Sequence, residues 1–213
     1  MATGTSHQSA QTLERTPPAE PLTYEEFLAW ADEDTYAEWV SGRVVFMSPV
    51  SREHATVAEF VLMIVRTFAE ILQAGEAHSD PFQMKTGREL PGRAPDVLFV
   101  ARENLGRIKP NFLDGPADLV VEVISPESRG RDRGEKFYEY EQGGVKEYWL
   151  IDPERRRAEF YRLGSDGYYL MTEPGPDVRY ESTVLHGLWL KVSWLWQRPP
   201  PTLPAVLQEW KLL

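Results

Sequence analysis

Three side chains have the types and spacing of a site that cleaves phosphodiesters with the help of a metal ion. Asp96 follows Pro95 and opens the apolar run Val97-Leu98-Phe99-Val100. Glu122 sits inside Leu119-Val120-Val121-Glu122-Val123-Ile124, a run so β-branched that it reads as a buried strand. Lys136 follows on a predicted helix. A carboxylate inside a buried strand is costly unless a metal or a basic side chain meets it. Two acids on neighbouring strands, with a lysine on the next helix, suffice to hold a divalent cation and a water beside a phosphate.

Each residue also has a plainer reading. An aspartate after proline is a common turn former. Glu122 would equally be satisfied by a structural ion pair with an arginine. Lys136 stands at i,i+4 from Asp132, the spacing of an exposed salt bridge. The stretch Ser128–Gly134 carries Arg129, Arg131 and Arg133 on what reads as a flexible loop, there to contact phosphates or simply to be solvated. Tyr140, one turn beyond Lys136, places a hydroxyl within reach of a phosphate or a water. Glu38 is either a third carboxylate of the site or a surface acid. His7, His54, His78 and His186 do not cluster at ligand spacing, which argues against zinc. His54, near the start of a long helix, is placed to orient a phosphate. No G-x-G-x-x-G, Walker A or G-x-S-x-G pattern occurs.

The elements that position these residues follow from periodicity and punctuation. Thr23 with Glu26 forms a capping box for a helix through Trp30. Tyr36–Val40 and Arg43–Met47 flank Ser41-Gly42, a β-hairpin signature. Ser51 caps a long helix to about Gln73, with Val57, Phe60, Val61, Ile64, Val65, Phe68 and Ile71 on one face. Strands are expected near Phe82–Thr86, from Asp96 to Val100, and around Glu122. A helix is expected over roughly Arg131–Gln142, ending at Gly143-Gly144, and then a strand over Lys146–Asp152. Strand, helix, strand in so few residues implies a parallel pair with a right-handed crossover. Ala158–Leu163, Tyr168–Thr172 and Leu188–Val192 read as further strands at a sheet edge. The stiff Arg198-Pro199-Pro200-Pro201 spacer precedes a short helix containing Leu207 and Trp210.

At 213 residues the chain is long enough for one domain with a sizeable core. The expected division is a disordered tail over 1–21, a main domain over 22–196, and a Pro-rich linker with a short helix over 197–213. The formal net charge of −10 weighs mildly against a nucleic-acid binder, whose affinity rests on phosphate contacts, although a local basic patch would serve. Absence of cysteine excludes disulfides and thiolate chemistry. No signal peptide is evident, and the best apolar run, Val57–Ala74, is interrupted by Glu59, Arg66 and Glu70, so no membrane span is expected and a cytoplasmic location is.

Taken together, these residues resemble the PD-(D/E)XK nuclease superfamily and, within it, the family of small bacterial proteins described as restriction endonucleases. The resemblance runs from about Tyr24 to Val192. It rests on Pro95-Asp96, on Asp118-Leu119-Val120-Val121-Glu122-Val123-Ile124-Ser125-Pro126, on Asp132 with Lys136 and Tyr140, and on Gly144–Pro153. It implies an α/β, restriction-endonuclease-like fold: a mixed sheet in the order αβββαβ flanked by helices, with the N-terminal hairpin and extra C-terminal strands. It further implies Mg²⁺ or Mn²⁺ bound by Asp96, Glu122 and the carbonyl of Val123, with Glu38 as a further site residue. The superfamily's lysine normally follows the glutamate by two residues; here that position is Ile124, and Lys136 would replace it from the helix. The activity implied is metal-dependent hydrolysis of DNA, by a homodimer because two strands need two sites. Ile124 and the acidic balance motivate an alternative, a nuclease-like domain without chemistry that binds nucleic acid or a protein. A third reading has the Trp210 helix docking on another subunit.

Overall fold

Local chemistry starts the first helix as the sequence predicts. The Thr23 hydroxyl accepts from the Glu26 N–H at 3.2 Å while the Glu26 carboxylate accepts from the Thr23 N–H at 2.8 Å, opening α1 (Tyr24–Trp30). The computed structural model describes residues 16–32, 34–175 and 177–213. Residues 1–15, which include His7 and most of the tail expected to be disordered, lie outside the described residues. The hairpin pairs β1 (Ala37–Val40) with β2 (Arg43–Phe46) across Ser41 and Gly42, whose φ values of 49° and 83° are those of a two-residue turn that matches strand twist.

Ser51 then caps α2 (Arg52–Ile71), accepting from the His54 N–H at 3.1 Å. Next come β3 (Gly75–Ser79), β4 (Gln83–Lys85), β5 (Gly92–Arg93), β6 (Val97–Ala101), β7 (Phe112–Asp114) and β8 (Leu119–Val123). The crossover consists of α3 (Arg129–Arg133) and α4 (Glu135–Gly143), and returns to β9 (Glu147–Asp152). The chain finishes with β10 (Arg157–Leu163), β11 (Tyr169–Thr172), β12 (Arg179–Glu181), β13 (Trp189–Lys191) and α5 (Leu203–Glu209).

The main sheet has six strands in the order β11-β10-β9-β8-β6-β3. Its one parallel pair among the described residues is β8–β9, the pair joined by the helical crossover. Alternation along the strands makes two cores. Val97, Phe99, Leu119, Val121, Val123, Trp149 and Ile151 face α2, while Leu98, Val100, Val120, Ile124, Tyr148 and Leu150 pack with Tyr140 of α4 and with Met84 and Leu113. A smaller sheet in the order β2-β1-β5-β4-β7 stands on this second side. The α/β fold with a mixed sheet in the order αβββαβ is therefore present as α2, β3, β6, β8, α3 with α4, and β9.

Several elements differ from expectation. The first core strand is the polar Gly75–Ser79, and the strand expected near Phe82–Thr86 is β4 of the smaller sheet. The crossover helix is broken at Gly134, where φ is −113° and ψ is −90°; a Cβ there would come within 2.8 Å of the Gly130 carbonyl. Arg129, Arg131 and Arg133 accordingly ride on a helix rather than on a flexible loop. β13 pairs with β12 as a separate ribbon instead of extending the main sheet. Trp210 packs its ring on Phe68, at 5.2 Å between centroids, and donates to the Trp189 carbonyl at 2.8 Å, so the tail helix docks on its own chain. No helix among the described residues is long and apolar enough to cross a membrane.

Candidate active site

Strand register brings the two acids together. Asp96 and Glu122 each stand one residue beyond the last β6–β8 pair, Val97–Val121, where the ladder opens into a cleft. The Asp96 carboxylate accepts from the Val123 N–H at 2.6 Å, a donor that β6 leaves unpaired, and the same oxygen lies 3.3 Å from His54 Nε2. Glu122, almost fully enclosed, projects toward α4. There Lys136 Nζ donates to Glu122 Oε1 at 2.9 Å and the Tyr140 hydroxyl donates to the same oxygen at 2.6 Å. Lys136 and Tyr140 reach one acceptor because residues four apart on a helix share a face. Ile124, at the superfamily's usual lysine position, is buried in the core beside Val120 and Tyr140.

Lys136 is held from three sides. Its ammonium also lies 3.4 Å from Glu38 and 3.5 Å from Asp132. The Asp132–Lys136 pair is thus buried and belongs to the site, contrary to its reading as an exposed salt bridge. Glu38 enters from β1 and accepts from Arg93 at 2.9 Å and from the Ala94 N–H at 3.3 Å. Arg93 in turn grips Glu139 of α4 through two bonds of 2.7 and 2.8 Å, tying the helix that carries Lys136 to the smaller sheet.

Charge in this cluster is unbalanced toward the acids. Burial, reinforced by Asp132, Asp96 and Glu38, pushes the Glu122 carboxyl up to about 8 despite the neighbouring lysine. Burial alone would lower Lys136, but Glu122, Glu38 and Asp132 outweigh it and hold the ammonium well above the usual lysine range. Burial likewise opposes ionisation of Glu38, and Lys136 and Arg93 overcome it, lowering its pKa. His54 is raised: burial disfavours the imidazolium, and Asp96 and the backbone of Val123 more than compensate.

The cleft, of about 600 Å³, is lined by Asp96, Glu122, Val123, Lys136, Asp132 and His54, with Arg131 and the Phe46–Ser51 segment also contributing. Among the described residues no three His, Asp or Glu side chains form a ready-made ligand set. The donors nevertheless suit a hard divalent cation: they are carboxylate oxygens, and Asp132 Oδ1 is buried without a hydrogen bond. A cation there would also offset the negative charge that Asp132, Asp96 and Glu38 crowd around Glu122, and so favour its carboxylate form.

Asp96, Glu122, Lys136 and Glu38 thus converge as the sequence reading expects, and Val123 is present through its backbone. Tyr140 does not face a nucleic acid. It is completely buried, with its hydroxyl committed to Glu122. Arg129 pairs with Asp152 at 3.4 Å and Glu154 at 2.8 Å, and Arg133 with Glu159 at 2.5 Å. Arg131 lines the cleft, and its Nε has no hydrogen-bond partner. Sequence reasoning missed Arg93, the His54–Asp96 contact and the burial of Asp132. Arg93 lies on a two-residue strand, too short for any periodicity to signal.

A mixed sheet with two acids at the open ends of adjacent strands and a lysine on the crossover helix defines a restriction-endonuclease-like domain. The chain belongs to the Uma2 family, described as "Putative restriction endonuclease", whose model matches residues 24–193. It is 25% identical over 158 residues to the Synechocystis sp. protein slr1290, covering 72% of this chain and 80% of that protein. It is 34% identical over 86 residues to sll1609 of the same organism, covering 37% of this chain and 45% of that one. A crystal structure of "a putative nuclease belonging to DUF820" from Anabaena variabilis shares the fold, with a TM-score of 0.70 at 17% identity, covering 83% of this chain and 98% of that one.

Proposed function

We propose that this chain is an endonuclease that hydrolyses DNA phosphodiester bonds with Mg²⁺ or Mn²⁺. The observation that carries this reading is the contact of Lys136 with Glu122 at 2.9 Å, in the same cleft as Asp96. Asp96 and Glu122, with the Val123 carbonyl, would hold the cation, which when bound supplies an acidified water and a polarised phosphate. The acids Glu122, Glu38 and Asp132 favour the ammonium form of Lys136, which suits it to donate hydrogen bonds rather than to accept a proton. Its ammonium holds the attacking water by hydrogen bonding and offsets negative charge as it grows on the phosphoryl oxygens. Glu38 acts on Lys136, fixing where the ammonium sits. Val123 N–H and His54 both engage one oxygen of Asp96, which orients the other for a ligand.

Calorimetric titration of Mn²⁺ into the wild type and into Asp96→Ala/Glu122→Ala tests the site directly, because cleavage assays also depend on the substrate offered. Binding that disappears in the double variant supports the reading. If the wild type binds no Mn²⁺ even with DNA oligonucleotides present, the reading fails in favour of a binding domain without chemistry.

A further inference from the structure

One part of the cleft has no role in that chemistry. Phe46 and Val50 are 50% and 45% exposed, and with Met47 and Pro49 they line the same cavity as Asp96 and Glu122. An apolar lip beside a cluster of acids is a poor surface for a charged backbone, but it suits a flat, desolvating group. The cations point the same way. Arg129 and Arg133 are occupied by Asp152, Glu154 and Glu159, and Lys136 by three acids, which leaves Arg131 as the cleft arginine with no ion pair among the described residues.

Continuous duplex DNA is gripped chiefly through many phosphates at once. A cleft with one uncommitted arginine, in a chain of net charge −10, is badly equipped for that. Unpaired strands are held differently: bases stack on aromatic faces, and few phosphates need be touched. We infer that the cleft receives an unpaired nucleotide, its base against Phe46 and the neighbouring Met47, Pro49 and Val50, and its phosphate on Arg131. The preferred substrate is then single-stranded DNA, or a duplex carrying an unpaired segment, rather than a continuous duplex. This rests on the nuclease reading above and specifies its substrate. One chain suffices for such a substrate, since only one strand is cut.

Fluorescence anisotropy of a labelled short single strand and of the same sequence as a blunt duplex tests this. The protein is kept in Ca²⁺, and a gel confirms that the strands stay intact. The single strand is expected to bind at least about tenfold more tightly than the duplex. Phe46→Ala, at an exposed position, is expected to weaken single-strand binding about fivefold or more and leave duplex binding unchanged. Arg131→Ala should weaken both and lower the salt slope by about one. A 2-aminopurine base in the strand should be quenched on binding the wild type and not on binding Phe46→Ala. Equal affinity for the blunt duplex, or an unaltered single-strand affinity in Phe46→Ala, overturns the inference. Phe46 takes no part in Mn²⁺ binding. Normal Mn²⁺ binding without strand preference therefore defeats this inference alone, whereas loss of both defeats the nuclease reading as well.

Discussion

Lys136 Nζ lies 2.9 Å from Glu122 Oε1, and both side chains are enclosed almost completely. Lys136→Met keeps the length of the side chain but removes the one ammonium that Glu122, Glu38 and Asp132 share. Stability is expected to fall by about 3 kcal/mol, since uncompensated buried charge is what remains. Mn²⁺-supported hydrolysis should fall by about a hundredfold or more, the scale of removing one preorganised donor from developing charge. Adding Glu122→Gln should recover part of the stability and none of the activity. Urea denaturation and single-turnover hydrolysis measure the two effects separately. Undiminished hydrolysis in Lys136→Met would show that the ammonium is structural only.

The elevated Glu122 carboxyl gives a pH signature with a definite sign. Burial and the neighbouring acids hold it at about 8, so near neutral pH the folded protein retains a proton that an unfolded chain has already lost. Metal-free stability should therefore decline as pH rises from about 4.5 toward 8, by up to about 1.4 kcal/mol per pH unit. A cation needs the carboxylate, so Mn²⁺ binding near neutral pH should release a proton, and affinity should climb until about pH 8 and then level off. Titrations in buffers of different ionisation enthalpy count that proton. Glu122→Gln should remove the decline between about pH 4.5 and 6.5 and leave above that only the smaller loss expected from the raised His54; a decline of equal slope in that variant would mean that another group is responsible.

Much of this site is legible in the sequence because its chemistry is written locally. Pro95-Asp96 before an apolar run, and Glu122 within one, are visible without any fold, and the i,i+4 spacings of Asp132, Lys136 and Tyr140 put three polar groups on one helical face. What they face is not written there. Tyr140 reads as a group reaching for a ligand and is instead the second donor to Glu122, because α4 lies with this face against β8. The polar strand Gly75–Ser79 escapes notice because its one buried side is supplied by Ala77 alone. In the smaller sheet, the hairpin β1–β2 and β4 are legible, whereas β5 and β7, strands of two and three residues, fall below the length at which alternation can be recognised. Arg93 lies on the shortest of these, and its importance comes entirely from partners at Glu38 and Glu139, each more than 40 residues away.

Arg93 makes a prediction that separates shape from charge. Its planar fork meets Glu139 through two bonds and Glu38 through a third, a geometry that an ammonium cannot reproduce. Arg93→Met is expected to cost about 3 kcal/mol. Arg93→Lys should restore less than half of that, although the formal charge returns. In both variants Mn²⁺ should still bind while turnover falls, because Arg93 acts on Lys136 through Glu38 and does not touch Asp96. Full rescue by lysine would reduce its role to electrostatics.

The last prediction concerns the C-terminal helix. Trp210 is only 9% exposed, stacks edge-on against Phe68 of α2 and closes a hydrogen bond to the Trp189 carbonyl in β13. The ring thus joins three parts of one core, and truncation would open a cavity and strand a buried carbonyl. Trp210→Ala is expected to lower stability by about 3–5 kcal/mol and, because the ring is spent within its own chain, to leave the elution volume on size exclusion unchanged. Trp210→Phe should recover most of the packing but not the hydrogen bond, leaving a deficit of about 1 kcal/mol. A shift in elution volume with little loss of stability would instead place the helix against a second subunit, the arrangement that its buried contacts with Phe68 and Trp189 argue against.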